Sequence, residues 1–238
     1  MIEFSGKIVV VSGAAGNLGK AVVKAFLNSE AVVCGLDHRE GRLKAIIDPT
    51  ELQGTLHCFD NVDVADRDVM QSLAEKLNTA VGIPDVLVNT IGDFTAGERV
   101  HELTMATWDR MIGKNVLTFL NLMHAFIPRM IEKGGGKVVS VGSGASLKGG
   151  AKNGAYAAAK GALLRLTESM AAELSSENIQ ANCVLPGVID TPEMRTMQPK
   201  ADFSNWVTPE QIADVILFLS SSASDAVSGK AISLLNPT

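Results

Sequence analysis

Near the start of the chain stands the stretch Lys7-Ile8-Val9-Val10-Val11-Ser12-Gly13-Ala14-Ala15-Gly16-Asn17-Leu18-Gly19, in which a β-branched run precedes a glycine-rich turn. A continuous apolar run of this kind is typical of a strand buried on both faces of a parallel sheet. The glycines permit a tight turn, let the backbone approach a pyrophosphate and allow close helix packing. The stretch therefore predicts a strand, a turn and a helix N-terminus suited to holding a dinucleotide phosphate.

The same alternation of strand and helix continues along the whole chain. Apolar runs predict seven strands, at 7–12, 31–36, 55–59, 85–89, 137–141, 180–185 and 231–235. Helical patterns lie between them at 17–28, 39–47, 66–79, 104–132, 153–176 and 209–220. Thr208 followed by Pro209 predicts a helix start, and Pro128 should bend or end its helix. We expect one α/β domain over 1–238, a Rossmann-type doubly wound sheet of seven parallel strands with helices on both faces.

Composition excludes several classes of protein. Of 238 residues, 46% are hydrophobic and 20% are charged, which excludes a disordered or collagen-like chain. The net charge is −5 and no basic block is present, so we expect neither nucleic acid nor a membrane as a partner. Three distant cysteines and an N-terminus without a signal-peptide pattern predict a cytoplasmic protein. The four histidines lack metal-ligand spacing, so we expect no metal site.

The second predicted strand ends at Asp37, about 20 residues after the glycine-rich turn. A carboxylate there can accept hydrogen bonds from both hydroxyls of an adenosine ribose and would repel a 2′-phosphate. NAD(H) is therefore favoured as the cofactor. Arg39 follows two residues later and could neutralise that repulsion, so NADP(H) stays possible.

Tyr156 and Lys160 stand one helical turn apart in an alanine-rich segment, so they project from one helix face. A phenol ordinarily has a pKa near 10, and a nearby ammonium moves that pKa toward neutrality. Such a pair is suited to acid–base catalysis. Tyr156 is the single tyrosine of the chain, so no other phenol can take its place.

Together with other motifs, this pair resembles the short-chain dehydrogenase/reductase family along essentially the whole chain. The matching pieces are Ser12–Gly19, Asp63-Val64, Asn89-Thr90-Ile91-Gly92, Asn115, Ser143, Tyr156 with Lys160, and Pro186-Gly187 followed by Thr191. Bacterial 3-oxoacyl-carrier-protein reductases share most of this pattern. Two departures are Ser12, where the family usually has threonine, and Asn17, where it usually has glycine.

The resemblance implies a role for each matched catalytic position. Tyr156 would be the general acid that protonates a carbonyl oxygen as hydride arrives from a nicotinamide. Lys160 would hold the nicotinamide ribose and lower the pKa of the tyrosine. Ser143 would hydrogen-bond the substrate oxygen, and Asn115 would hold a water that relays protons toward Lys160.

The resemblance also implies a set of cofactor contacts. Asp63 and Val64 would meet the adenine, Asn89 would brace the sheet, and the positions after Pro186 would touch the carboxamide. The full predicted set is Gly13, Ala15, Gly16, Asn17, Leu18, Gly19, Asp37, His38, Arg39, Asp63, Val64, Asn89, Thr90, Ile91, Gly92, Tyr156, Lys160, Pro186, Gly187, Val188 and Thr191.

Substrate choice should depend on a lid at 190–207, on 143–150 and on the loop after Gly92. Within the lid, 201–206 is similar to a segment of dihydropteridine reductases, which makes reduction of a pteridine C=N bond an alternative. A second alternative is a dinucleotide-binding sensor or scaffold without catalysis. The main expectation is an NAD(P)(H)-dependent oxidoreductase (EC 1.1.1.-) acting on a small ketone or secondary alcohol, assembled as a homodimer or homotetramer.

Overall fold

The computed structural model describes residues 3–48 and 52–235, and within them it forms one parallel sheet. The seven strands run in the order β3-β2-β1-β4-β5-β6-β7, so the chain reverses direction across the sheet between β1 and β4. Their bounds are β1 Ile8–Ser12, β2 Val32–Leu36, β3 Thr55–Phe59, β4 Val86–Asn89, β5 Gly136–Val141, β6 Ile179–Pro186 and β7 Ala231–Leu234. The predicted doubly wound α/β sheet is thus confirmed.

Helices cover both faces of the sheet. They are α1 Asn17–Asn28, α2 Arg42–Ile46, α3 Arg67–Ala80, α4 Met105–Ile112, α5 Thr118–Lys133, α6 Gly154–Glu173, α7 Pro192–Met197 and α8 Pro209–Ser220. The predicted start of α8 is confirmed, because the Thr208 hydroxyl accepts the Gln211 N–H in a capping box. Within the described residues, no helix is both long and apolar enough to cross a membrane.

The central strands β1 and β4 are largely apolar because they are covered by helices on both faces. On β1, Val9 and Val11 pack with α1 and α8, whereas Val10 packs with α3 and α5. All three valines are fully buried. Period-two alternation therefore distributes one apolar run between two cores, as in other parallel sheets.

Two predicted helices differ from the structure. The expected helix at 39–47 shortens to α2, because Gly41 has a left-handed φ of 67° immediately before it. The expected helix at 104–132 is divided: α4 ends at Ile112, a π-helical segment spans Gly113–Leu117, and α5 follows. Pro128 does not end its helix, which continues to Lys133.

Candidate active site

The glycine-rich turn has the geometry that the sequence predicts for a phosphate-binding loop. Gly13 has a φ of 71°, and a Cβ there would lie 3.0 Å from both Ile91 Cγ1 and Thr90 Oγ1. A Cβ at Gly19 would lie 2.1 Å from the Gly13 carbonyl oxygen. Gly16 is the N-cap of α1 and makes no side-chain cap. The turn therefore requires glycine and leaves the N-terminus of α1 open to an anion.

A groove of about 380 Å³ runs along the carboxyl edge at the point where the strand order reverses. It is lined by Gly13, Gly16, Leu36, Asp37, His38, Arg42, Val62, Asp63, Val64, Thr90, Ile91, Gly92, Asp93, Lys114 and Thr118. Nine of these positions belong to the predicted cofactor set. Nucleotides bind doubly wound sheets at such a switch point, so the groove fits a dinucleotide.

Sequence reasoning missed six residues that line this groove: Leu36, Arg42, Val62, Asp93, Lys114 and Thr118. Arg42 begins α2, and its place in the groove depends on the shortening of that helix. Lys114 comes from the π-helical segment. The sequence did not predict that either residue lines the groove, because its helical patterns placed both residues on uninterrupted helices.

Asp37 occupies the end of β2 with its side chain 3% exposed. One carboxylate oxygen accepts the Arg39 N–H at 2.9 Å and the other accepts the Ala15 N–H at 3.3 Å. An ionised carboxylate offers about four lone-pair sites, so capacity for two further donors is left. The carboxylate borders the groove, and two ribose hydroxyls would fit that capacity.

Asn17, which departs from the family pattern, has a partner in the lid. Its Nδ2 donates to Glu193 Oε2 at 2.7 Å, which joins the first residue of α1 to α7. The asparagine residue is exposed. The substitution therefore leaves the loop backbone intact and adds a contact between two elements.

The candidate acid lies in the first turn of α6. Tyr156 is half-buried, and its hydroxyl shares a hydrogen bond with the side chain of Ser143 in the loop after β5. The Ser143 oxygen also accepts the Ala145 N–H at 3.2 Å. The ring of Phe94 meets the tyrosine ring edge-on, with centroids 4.9 Å apart and an interplanar angle of 90°.

Lys160 and Asn115 converge on the backbone of Gly92. A Cβ at Gly92 would lie 2.9 Å from Lys160 Nζ and 3.1 Å from Asn115 Oδ1. Lys160 is buried and donates to the Val141 carbonyl at 2.9 Å. The loop after β4, the π-helical segment and α6 therefore bring the predicted residues to one place.

The π-helical segment explains how Asn115 reaches this position. Its Nδ2 donates to the Met111 carbonyl at 2.9 Å and to the Asp93 carbonyl at 3.1 Å. Its Oδ1 accepts the Asp93 N–H at 3.2 Å. Such single-turn π bulges are frequent at functional sites, because they turn one side chain out of the helical register.

The pKa of Tyr156 differs from the expectation. Burial raises the pKa of the tyrosine hydroxyl, and the hydrogen bond with Ser143 only partly opposes this effect. Burial also lowers the pKa of Lys160 to about 8, against a smaller contribution from Cys183. The lysine ammonium lies against the Val141 carbonyl, and the expected depression of the tyrosine pKa is not found.

The predicted lid at 190–207 folds back on itself. Its ends pair through a bridge between Ile189 and Val207. Arg195 is held by Asp190 through contacts of 2.6 and 2.7 Å, and its guanidinium lies 4.7 Å from the centroid of the Phe203 ring. Trp206 is 6% exposed, so it packs into the protein, whereas Met197 is 64% exposed.

The remaining predicted cofactor residues lie around the groove without lining it. Leu18 and Gly19 are buried in α1, and the Asn89 side chain accepts the Ser12 hydroxyl inside the sheet. Thr191 caps α7 by accepting the Met194 N–H. The others are Ala15, Asn17, Arg39, Tyr156, Lys160, Pro186, Gly187 and Val188. Their contacts with a nucleotide stay predictions.

Comparison with known proteins identifies the family. A model of the short chain dehydrogenases matches residues 7–202. The chain belongs to the short-chain dehydrogenase family. It is 31% identical over 242 residues to the 3-oxoacyl-[acyl-carrier-protein] reductase FabG of Thermotoga maritima, with 98% of each chain covered. The family assignment made from the motifs is thus confirmed, and it places the chain among oxidoreductases.

Solved structures of this family share the fold. An NAD+-bound xylitol dehydrogenase superposes with a TM-score of 0.91 at 22% identity, covering 98% of this chain and 99% of that one. A gluconate 5-dehydrogenase of Burkholderia cenocepacia, in complex with NADP and tartrate, gives a TM-score of 0.88 at 24% identity, with 98% and 94% covered. One of these two structures holds NAD+ and the other holds NADP.

Proposed function

We propose that this short-chain dehydrogenase is an NAD(H)-dependent oxidoreductase that interconverts a ketone and a secondary alcohol, with Tyr156 as the acid and base. The observation that carries the proposal is a set of two side-chain pairs, one of which lies beside a residue of the groove. Ser143 hydrogen-bonds Tyr156, and Lys160 meets Asn115 at Gly92, a residue that lines the groove. A pure dinucleotide sensor would have no use for a proton donor and an oxygen-binding hydroxyl at this place.

Each part of the nucleotide can be matched to residues of the groove. The N-terminus of α1 and the turn at Gly13 would hold the pyrophosphate, and Asp37 would hold the adenosine ribose. Asp63 and Val64 would flank the adenine. When bound, the nicotinamide supplies or accepts the hydride.

Ser143 and Tyr156 would hold the carbonyl oxygen of the substrate between their hydroxyls. In the reductive direction the oxygen gains negative charge, which both donors stabilise. Because burial raises the pKa of Tyr156, its hydroxyl stays protonated at neutral pH and can donate a proton to that oxygen. In the oxidative direction the phenolate form of the same group, which a higher pH favours, would accept the proton from the alcohol.

Lys160 would supply positive charge beneath this pair. With a pKa of about 8, the ammonium is charged at neutral pH despite its burial. The Asn115 amide forms hydrogen bonds with the backbone of Asp93 and Met111. These bonds hold the loop beside Lys160 in place. That arrangement supports a role in keeping the proton path toward Lys160 in place.

NAD(H) is the proposed cofactor because a buried carboxylate, Asp37, borders the groove. Arg39 is exposed and lies outside the groove lining, whereas Arg42 lines it. The Asp37 carboxylate would repel a 2′-phosphate on the adenosine ribose, and this repulsion favours the unphosphorylated nucleotide.

The proposal is tested with purified wild type and Tyr156→Phe. Nicotinamide fluorescence gives the affinities for NADH and NADPH, and NADH oxidation is followed with a panel of ketones and a quinonoid dihydropterin. We expect tighter NADH binding, turnover of at least one ketone, and a loss of turnover of about 100-fold or more in Tyr156→Phe with unchanged NADH affinity.

Two results would overturn it. Turnover that survives in Tyr156→Phe would remove the proposed acid, since the chain has no second tyrosine. Reduction of the dihydropterin alone would favour the C=N alternative instead.

A further inference from the structure

A single segment links the cofactor groove to the candidate acid. Thr90 to Asp93 line the groove in sequence, and the next residue, Phe94, meets the ring of Tyr156. The phenyl ring of Phe94 is nevertheless 46% exposed. It therefore lies at the junction of groove and acid with one side packed on the tyrosine and another open to solvent.

The backbone beneath Phe94 is firmly held. The Asp93 carboxylate accepts the Arg110 Nε–H at 2.6 Å with one oxygen and the Phe94 N–H at 2.9 Å with the other. The Asp93 N–H and carbonyl are both bound by the Asn115 amide. The exposed ring is thus a fixed feature of the site and does not belong to a loosely attached loop.

Two further apolar side chains are exposed on segments that follow strands of the same sheet. Leu147 follows β5 and is 60% exposed, and Met197 in α7 is 64% exposed. Two arginines are neutralised in place, Arg110 of α4 by Asp93 and Arg195 of α7 by Asp190. Apolar side chains exposed beside a few convergent polar groups are typical of a site for an apolar ligand.

We propose that Phe94 is a specificity-determining residue that selects carbonyl substrates with an uncharged aromatic substituent on the carbonyl carbon. This inference rests on the proposed function. A ketone oxygen held by Tyr156 and Ser143 places its substituents beside the tyrosine ring, where Phe94 stands. A planar ring there can pack against the phenyl group in the offset or edge-to-face geometry that aromatic pairs prefer.

The test compares acetophenone, cyclohexyl methyl ketone and butanone as substrates at saturating NADH. Wild type, Phe94→Leu and Phe94→Ala are compared, with Phe218→Ala as the matched control because that ring is 39% exposed on α8. We expect kcat/KM for acetophenone to fall about five- to tenfold in both Phe94 variants, mainly through KM. The values for butanone should stay within about twofold, and Phe218→Ala should match wild type.

A second readout does not depend on turnover. Saturation-transfer NMR reports acetophenone binding to wild type and to Phe94→Ala, and we expect the signal to weaken in the variant. Equal losses for all three ketones, together with a shifted pH profile, would overturn the inference, because Phe94 would then act by shielding Tyr156. The inference would also be overturned if the ratios of kcat/KM among the ketones were the same in wild type and in the Phe94 variants.

The failure of this inference is distinguishable from failure of the proposed function. One outcome is that turnover of ketones by wild type depends on Tyr156 while the ratios of kcat/KM among the ketones stay the same in the Phe94 variants. In that case only the proposed substrate class is wrong. If no ketone is turned over but acetophenone binding depends on Phe94, the proposed reaction is wrong and the aromatic site stands.

Discussion

Asp37 places one buried carboxylate beside the groove, and nucleotide choice depends on it. We predict that Asp37→Asn lowers the affinity for NADH about tenfold and raises that for NADPH, because charge-assisted hydrogen bonds and the repulsion of a 2′-phosphate are both lost. Fluorescence titration with the two nucleotides measures the ratio. A uniform loss for both nucleotides would contradict the assignment, because it would indicate damage to the loop at Ala15.

Lys160 is the buried charge of the site, and burial lowers its pKa from 10.5 to about 8. The unfolded chain therefore binds the proton more tightly, so this group destabilises the fold below pH 8 and less so as the pH rises toward 10.5. We predict that Lys160→Met abolishes turnover and, at pH 7, raises the free energy of unfolding by about 1–3 kcal/mol. The gain should shrink between pH 8 and 10. Denaturant titration at several pH values checks it, and a less stable variant at pH 7 would contradict it.

For single residues, the sequence predicts a position correctly where the spacing of residues along one helix determines it. Tyr156 and Lys160 are one helical turn apart, and the structure places both on α6, with Lys160 beside Gly92 of the groove. The direction of the tyrosine pKa could not be predicted, since it depends on burial within the folded chain. Arg42 was missed because its place depends on where α2 begins.

Three elements meet at Gly92: the loop after β4, the π-helical segment and α6. We predict that Gly92→Ala lowers kcat at least tenfold and destabilises the fold by about 1–3 kcal/mol, because the new methyl group displaces Lys160 or Asn115. Gly149→Ala is the control, since no described heavy atom lies within 4 Å of a Cβ at that position. Steady-state kinetics and thermal unfolding of both variants measure the effect. A fully active Gly92→Ala would contradict this geometry.

Among the elements, strands were more predictable than helices. Each predicted strand end lies within one residue of the observed end, because a doubly buried strand needs an uninterrupted apolar run. The break between α4 and α5 was not predicted although Gly113 stands at it, because a single glycine inside a helical pattern is often tolerated. The π-helical segment accompanies a tertiary contact, the hydrogen bonds between the Asn115 amide and the Asp93 backbone.

The surface between α5 and α6 bears on how copies of the chain associate. A shallow cavity of about 280 Å³ between α5 and α6 is lined mainly by apolar side chains, among them Leu120, Ile127 and Leu166. We propose that the chain forms a homodimer or homotetramer through these two helices. Covering this face would remove apolar surface from water, which stabilises association.

Ser169→Arg tests that assembly. Ser169 is exposed and borders the cavity, so an arginine there should separate the copies without disturbing the core of each chain. Ser175→Arg, at an exposed position just beyond α6, is the control. Light scattering should give two or four times the chain mass for wild type and the control, and a smaller mass for Ser169→Arg. A monomeric wild type would contradict the proposal.

The most direct test of the central claim follows a labelled hydride. NADH deuterated at the transferring position of the nicotinamide ring is incubated with wild type and a ketone that it reduces, and the alcohol is analysed by mass spectrometry and NMR. We predict one deuterium on the carbinol carbon of the product, in a single configuration, and about 100-fold less product or lower still with Tyr156→Phe. Product without deuterium at that carbon, or equal product from the variant, would contradict hydride transfer assisted by Tyr156.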